Sequence, residues 1–264
     1  MHIPTIASIL LCANLVVAAP NTAMRRQRAA ERASRASNTL QPVEGELGIA
    51  GSNGTAHPDY SSNWAGAVLI GSGYRTVTGT IVVPTPRIPS GGSRSTSYSA
   101  SAWVGIDGDT CQTSILQTGV DFTVRGSSVS YDAWYEWFPD YAYDFTGITI
   151  RAGDTITMTV TASSTSAGTA VIENVTTGQR VSHSFSGETD RLCQTNAEWI
   201  VEDFSSGGSL VSFADFGTVT FTGASVNGGT GVNGATIIDI EQSNQVLTDC
   251  STSGSSRVTC SYTG

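Results

Sequence analysis

The chain has 264 residues with only 13% charged side chains and 29 glycines, a composition that excludes a coiled coil or a helical bundle. It contains no lysine, and its 13 arginines face 22 carboxylates for a formal charge of −9, the wrong balance for a surface that must grip phosphates. At 39% hydrophobic residues, with 5 Trp, 8 Tyr and 8 Phe, it can still bury a sizeable core.

The first 19 residues carry a short apolar run, Ile6 to Val17, followed by Ala18 and Ala19. This is the pattern of a secretory signal and its cleavage site, and it is too short to span a membrane. The expectation is a secreted, extracellular protein with no membrane partner. The charge then splits: up to residue 56 there are five arginines against three glutamates, and beyond it eight arginines against nineteen acids. A basic helical segment at 20–56 could cover an acidic domain at 57–264 by charge attraction and leave when the carboxylates take up protons. It is read as a pro-segment, with a disordered basic linker as the plainer alternative.

Four cysteines follow the leader, Cys111, Cys193, Cys250 and Cys260, an even number that reads as two disulfides in an exported chain. The nine residues between Cys250 and Cys260 suit a terminal hairpin staple, which leaves Cys111 to pair with Cys193. No CxxC and few histidines are present, so no metal or cofactor is expected. Asn53-Gly-Thr55 and Asn174-Val-Thr176 are glycosylation sequons, as in a secreted glycoprotein.

From residue 60 onward, short runs rich in Val, Ile, Thr and aromatics alternate with Gly, Ser, Asn and Asp turns. They predict strands over 64–71, 76–83, 99–107, 113–122, 129–138, 154–162, 169–175, 180–186, 195–204, 216–221, 235–242 and 256–262. About a dozen strands without intervening helices predict an all-β, antiparallel sandwich of two large sheets. Residues 90–97, 205–209 and 223–234 read as loops.

Strand alternation then sorts the side chains by face. Asp132, Trp134, Glu136 and Phe138 share one face of their strand; Glu198, Ile200, Glu202 and Phe204 share one of theirs. Gln117 lies with Ile115 and Asp121, and Trp103 with Asp107 and Asp109. Acids mixed with indoles on common faces suit a groove for an extended ligand. A core of aromatics with acids at strand ends is the plainer reading.

Familiar catalytic outfits can be set aside on residues alone. There is no GxSxG, and after residue 56 only His57 and His183 could serve as a triad base. Neither DTG nor DSG occurs, which removes a pepsin-like pair; HExxH is absent, and a phosphate loop needs a lysine the chain lacks. Carboxylate and amide chemistry remain.

The segments SSNWAGAVLIG, WVGIDGDTCQTSILQTGVDF, YDAWYEWFPD, ENVTTGQ and NAEWIVEDF closely resemble the glutamic peptidases, the eqolisin family of secreted fungal acid endopeptidases. The resemblance covers about 60 to 264. It implies a concanavalin-like (jelly-roll) sandwich of two seven-stranded sheets, a basic pro-segment, a pepstatin-insensitive acid optimum and a catalytic Gln/Glu pair, Gln117 and Glu202. Two departures stand out: the second cysteine pair of some relatives is absent between Cys193 and Cys250, and Phe138 replaces a common Tyr.

In the chemistry this implies, Glu202 takes a proton from water and later returns it to the leaving nitrogen, while the Gln117 amide donates to the oxyanion. Asp107, Asp121, Asp132 and Glu136 are expected to support the pair, and Trp64, Trp103 and Trp134 to line the cleft. The partners expected are protein or peptide substrates and the chain's own pro-segment, with the protein a monomer. A jelly-roll glycoside hydrolase using Glu136 and Glu202, or a lectin-like carbohydrate-binding module, are the alternatives.

Overall fold

The computed structural model describes residues 35–43, 59–229 and 231–264. The signal expected at 1–19, most of the basic segment and the sequon at Asn53 lie outside the described residues.

The described chain is strands joined by turns, in the order β1 (Arg35–Ala36), β2 (Asp59–Ser61), β3 (Trp64–Ile70), β4 (Thr76–Val82), β5 (Ser97–Ile106), β6 (Ile115–Arg125), β7 (Ser128–Phe138) and β8 (Tyr143–Asp144). There follow β9 (Thr155–Ser164), β10 (Ala167–Asn174), β11 (Gln179–Ser186), β12 (Asn196–Glu202), β13 (Ser205–Ser206), β14 (Ser209–Leu210) and β15 (Ser212–Phe213). The last are β16 (Thr218–Val226), β17 (Thr236–Gln242), β18 (Gln245–Val246), β19 (Thr248–Ser253) and β20 (Arg257–Tyr262).

Two large sheets form, as the alternation predicts. The first has seven strands in the order β11-β10-β9-β4-β16-β20-β19. The second has ten, along β18-β17-β3-β12-β5-β6-β7-β8, with β15 beside β5 and β2 beside β17. It exceeds the expected seven because short pieces of two or three residues, β2, β8, β15 and β18, flank six long strands.

The inner faces meet in one core. Val104, Leu116, Phe122 and Trp199 from the larger sheet pack with Ile81, Met158, Ile172 and Phe221 from the smaller. The smaller sheet turns its other face to solvent. Along β9, buried and half-buried residues alternate, and outward threonines pair across strands, Thr78 with Thr159 at 3.1 Å and Thr80 with Thr157 at 2.9 Å. β12 differs, because every residue from Asn196 to Glu202 is buried. The larger sheet is therefore covered on both faces, and its second face carries a separate apolar cluster of Trp64, Trp103, Trp134, Ile115 and Ile200, with Phe138 packed against it.

That second cover comes partly from residues 35–43. The helix expected for the basic segment does not extend into Arg35 and Ala36, which instead pair with Ser206 and Ser205 in a small three-stranded sheet. Backbone hydrogen bonds to the domain take the place of helical ones: Ala142 N–H donates to the Arg35 carbonyl at 3.1 Å, Leu40 N–H to the Gly108 carbonyl at 2.9 Å, and Ser62 N–H to the Gln41 carbonyl at 2.9 Å.

Both expected disulfides form, Cys111 with Cys193 and Cys250 with Cys260, the latter directly opposite in register across β19 and β20. Asn174 is fully buried and its Nδ2 donates to the Thr149 carbonyl and to Asp154 Oδ2, both at 2.9 Å. This sequon thus offers no surface acceptor for a glycan.

Candidate active site

Strand register assembles the polar residues of the covered face into rows. In one row Glu202 stands opposite Ser101, Ser101 opposite Asp121, and Asp121 opposite Asp132. Two residues along, Ile200, Trp103, Gly119 and Trp134 pair in turn, and two further along come Glu198, Gly105, Gln117 and Glu136. Because side chains repeat every second residue, the ten side chains of these rows point to the same side, with Gly105 and Gly119 between them.

Glycine makes this floor flat. A Cβ on Gly119 would stand 2.5 Å from Trp103 Cβ and 2.7 Å from Trp134 Cζ2, and one on Gly105 would meet Trp103 Cζ3 at 2.7 Å. The indole of Trp103 therefore lies down along the sheet. One end donates from Nε1 to Glu202 Oε2 at 2.9 Å, and its far edge covers Gly105, the residue paired with Gln117. Trp64 meets Trp103 edge-on at 4.9 Å between ring centroids.

Gln117 and Glu202 thus share one face of one sheet with β5 between them, offset by four residues, and Trp103 bridges the offset. Gln117 is fully buried, and neither its Nε2 nor its Oε1 makes a hydrogen bond among the described residues. Burial drives Glu202 up to about 7, against the lowering effect of Arg35 and of hydrogen bonds from Asn38, Ser37 and Trp103. Glu136 is pushed well above the usual carboxylate range, mainly by burial, with Arg35 opposing.

The segment 37–43 lies on this floor and Arg35 plunges into it. Asn38 N–H donates to Glu202 Oε1 at 3.0 Å, and the Asn38 carbonyl accepts from Trp64 Nε1 at 3.0 Å. Ser37 N–H donates to Glu136 Oε2 at 3.2 Å. The guanidinium of Arg35 reaches Asp121 at 2.7 and 2.9 Å and Glu136 Oε2 at 3.3 Å, and stacks 3.8 Å above the Trp134 ring. Clefts open at both ends of the segment. One of about 490 Å³ runs past Arg35 between Asp121, Asp132 and Asp144; the other, about 720 Å³, is lined by Leu40, Pro42, Asp59, Tyr60 and Asp109.

Of the residues singled out in the sequence, Trp64, Trp103, Asp121, Trp134 and Glu136 gather with Gln117 and Glu202, and Asp132 lines the adjoining cleft. Asp107 goes elsewhere. It follows the last residue of β5 with φ at 72°, and its carboxylate accepts the backbone N–H groups of Cys193, Gln194, Thr195 and Asn196 at 2.8 to 3.2 Å. It braces the disulfide loop. Asp107, Cys111 and Cys193 bring three ligand-type atoms within 4.8 Å, but both sulfurs are joined to each other, so this group has no thiolate for a metal. Sequence reasoning left out Ser101, whose hydroxyl receives Trp134 Nε1 at 3.2 Å, and gave no role to Phe204, placed on the Glu202 face, whose ring lies 4.6 Å from the Arg35 guanidinium.

Comparison with known proteins places this geometry in context. The profile of the Peptidase A4 family matches residues 62–262. The chain is 53% identical to Aspergillopepsin-2 of Aspergillus niger, over 99% of this chain and 100% of that protein. It is 45% identical to Scytalidopepsin B of Scytalidium lignicola, over 97% of each. A crystal structure of scytalido-glutamic peptidase with a transition state analog inhibitor superposes with a TM-score of 0.70 at 49% identity, covering 76% of this chain and 98% of that one.

Proposed function

Because the chain belongs to the Peptidase A4 family and is a glutamic endopeptidase of the eqolisin kind, we propose that Gln117 and Glu202 are its catalytic pair. Family membership replaces the glycoside hydrolase and lectin readings. The substrate is an extended polypeptide laid along the covered face of the larger sheet.

In this reading Glu202, ionised, removes a proton from a water that attacks the scissile carbonyl. The Gln117 amide N–H donates to the oxyanion, and Glu202 then hands its proton to the leaving nitrogen. One contact carries the reading: the 3.0 Å bond from Asn38 N–H to Glu202 Oε1. A peptide nitrogen of the chain's own backbone already sits within hydrogen-bond reach of this carboxylate, the reach that returning a proton to a leaving nitrogen requires. Clearing the segment relieves burial, the main cause of the raised Glu202 pKa, and also removes Arg35, Asn38 and Ser37, which lower it; a solvated glutamate has an ordinary value of about 4.3. A base with that affinity works in acid, where histidine is protonated.

The same contacts make residues 35–43 a self-inhibitory part of a 20–56 pro-segment, occupying the groove until it is removed from the 57–264 enzyme. The leader at 1–19 and the two disulfides support secretion into an oxidising compartment. The test is digestion of denatured casein in acid with pepstatin present, by the processed enzyme and its Glu202→Gln variant. Peptides from the parent and none from the folded variant are expected. Equal digestion by both would remove Glu202 from the chemistry.

A further inference from the structure

Glu198 has no place in the reaction just described, yet it is the most isolated ionisable side chain of the larger sheet. It is fully buried, and neither carboxyl oxygen has a hydrogen-bond partner among the described residues. It stands in the same register row as Gln117, whose amide is equally buried and equally without partners. Only Gly105 separates them along the sheet, and the edge of the Trp103 indole lies over it, Cζ3 2.7 Å from the position a Gly105 Cβ would take. Glu198 leans toward this glycine: its Oε2 lies 3.3 Å from the same position. On the other side of Gln117, directly paired across β6 and β7, Glu136 keeps its Oε1 without a partner.

An amide that must donate to an oxyanion has to present nitrogen, not oxygen, and the two ends of a glutamine amide are nearly the same shape. What orients it is the pairing of its two ends, a donor aimed at Oε1 and an acceptor facing Nε2. A neutral carboxyl group is such a donor, and burial together with Asp107 and Asp109 nearby holds the Glu198 proton on well above the usual carboxylate range. Resting on the Gln117/Glu202 reading, we propose that Glu198 is a positioning residue that, as the neutral acid, donates through one bridging water to Gln117 Oε1. This turns Nε2 toward the scissile carbonyl. Glu136 Oε1, on the opposite side, is placed to accept the second Nε2 proton.

The test is a double-mutant cycle on the processed enzyme with one synthetic peptide substrate. Glu198→Leu, which keeps bulk and loses the donor, is expected to lower kcat about 10- to 100-fold with KM within about twofold, part of the 10²–10³ that losing an oxyanion donor costs. Glu198→Gln, which can still donate, restores kcat to within about threefold. On a Gln117→Ala background, Glu198→Leu adds no further loss. An unchanged kcat in Glu198→Leu, a loss confined to KM, or independent multiplication of the two effects overturns the proposal. If Glu198→Leu does not fold, the infrared band of the neutral carboxyl that disappears in Glu198→Gln must shift in Gln117→Ala, and a band that stays put overturns it. The two readings separate cleanly. Full activity in Gln117→Ala defeats the catalytic pair itself, whereas collapse in Gln117→Ala without any effect of Glu198→Leu defeats only the positioning role.

Discussion

Arg35 holds Asp121 by two parallel bonds, Nε to Oδ2 at 2.7 Å and Nη2 to Oδ1 at 2.9 Å, with the guanidinium almost wholly buried. Truncating one partner of a buried, hydrogen-bonded pair costs about 3–5 kcal/mol, mostly because the other charge is stranded. A peptide of residues 35–43 should therefore inhibit the processed enzyme, and Arg35→Ala in that peptide should weaken inhibition by roughly 10²–10³. An inhibition constant that moves less than threefold would show that the guanidinium is not the anchor.

Arg35 also lies beside Glu136, at 3.3 Å, and its charge lowers both Glu136 and Glu202. Burial opposes that lowering in both, but each proton they take up removes an attraction that this guanidinium supplies. Binding of the Arg35→Ala peptide should accordingly lose most of the weakening in acid that the parent peptide shows, as titration calorimetry at several pH values would reveal.

Stability should run opposite to that of most proteins. Burial raises Glu202 and Asp203 to about 7 and Asp239 to about 6, so the folded chain holds protons that the unfolded chain, with carboxylates near 4, releases. Such groups contribute stability that is complete below about pH 4 and is lost as pH climbs toward 7. Thermal unfolding should show Tm falling steadily from pH 4 to 7, and Asp203→Asn should flatten the slope. A Tm that rises over this interval would contradict the assignment of buried neutral acids.

The flat floor gives a packing test. Gly119→Ala places a methyl 2.5 Å from Trp103 Cβ and 2.6 Å from the Ala102 carbonyl, backbone and rigid side chain that cannot step aside. Overpacking of this kind costs about 1–3 kcal/mol. The variant should lose stability by that amount and also lose kcat, because the displaced indole carries the Nε1 bond to Glu202. Unfolding in denaturant and a rate measurement on the same preparation would check both.

The two disulfides should differ in worth. Cys111 and Cys193 close a separation of 82 residues and Cys250 and Cys260 one of 10, which in a chain-entropy account gives about 4.5 and about 2.7 kcal/mol. Replacing the first pair by alanine should cost more, since it also loosens the 193–196 backbone held by Asp107.

Much of this was legible in the residues. The period-two pattern and the turn chemistry carry the sandwich, and the mixing of indoles with acids at Trp134, Glu136 and Glu202 marks the cleft face, because alternation is a local property of each strand. Asp107 escaped that reasoning: its positive φ turns it out of the alternation at the end of β5, and its partners are backbone groups some eighty-six residues away. The path of residues 35–43 was equally hidden. It has no strand pattern of its own, and its conformation is held by bonds to Gly108, Ser62, Trp64 and Glu202 that only the folded domain supplies. Glu198 could be assigned a face from sequence, but its lack of partners is a fact of packing.

The most direct measurement is the turnover number of the processed enzyme on one extended peptide in acid, for the parent, Gln117→Ala and Glu202→Gln, each verified as folded. The account predicts a loss of about 10²–10³ for the first variant and no detectable turnover for the second. Retention of parental turnover by either would contradict it.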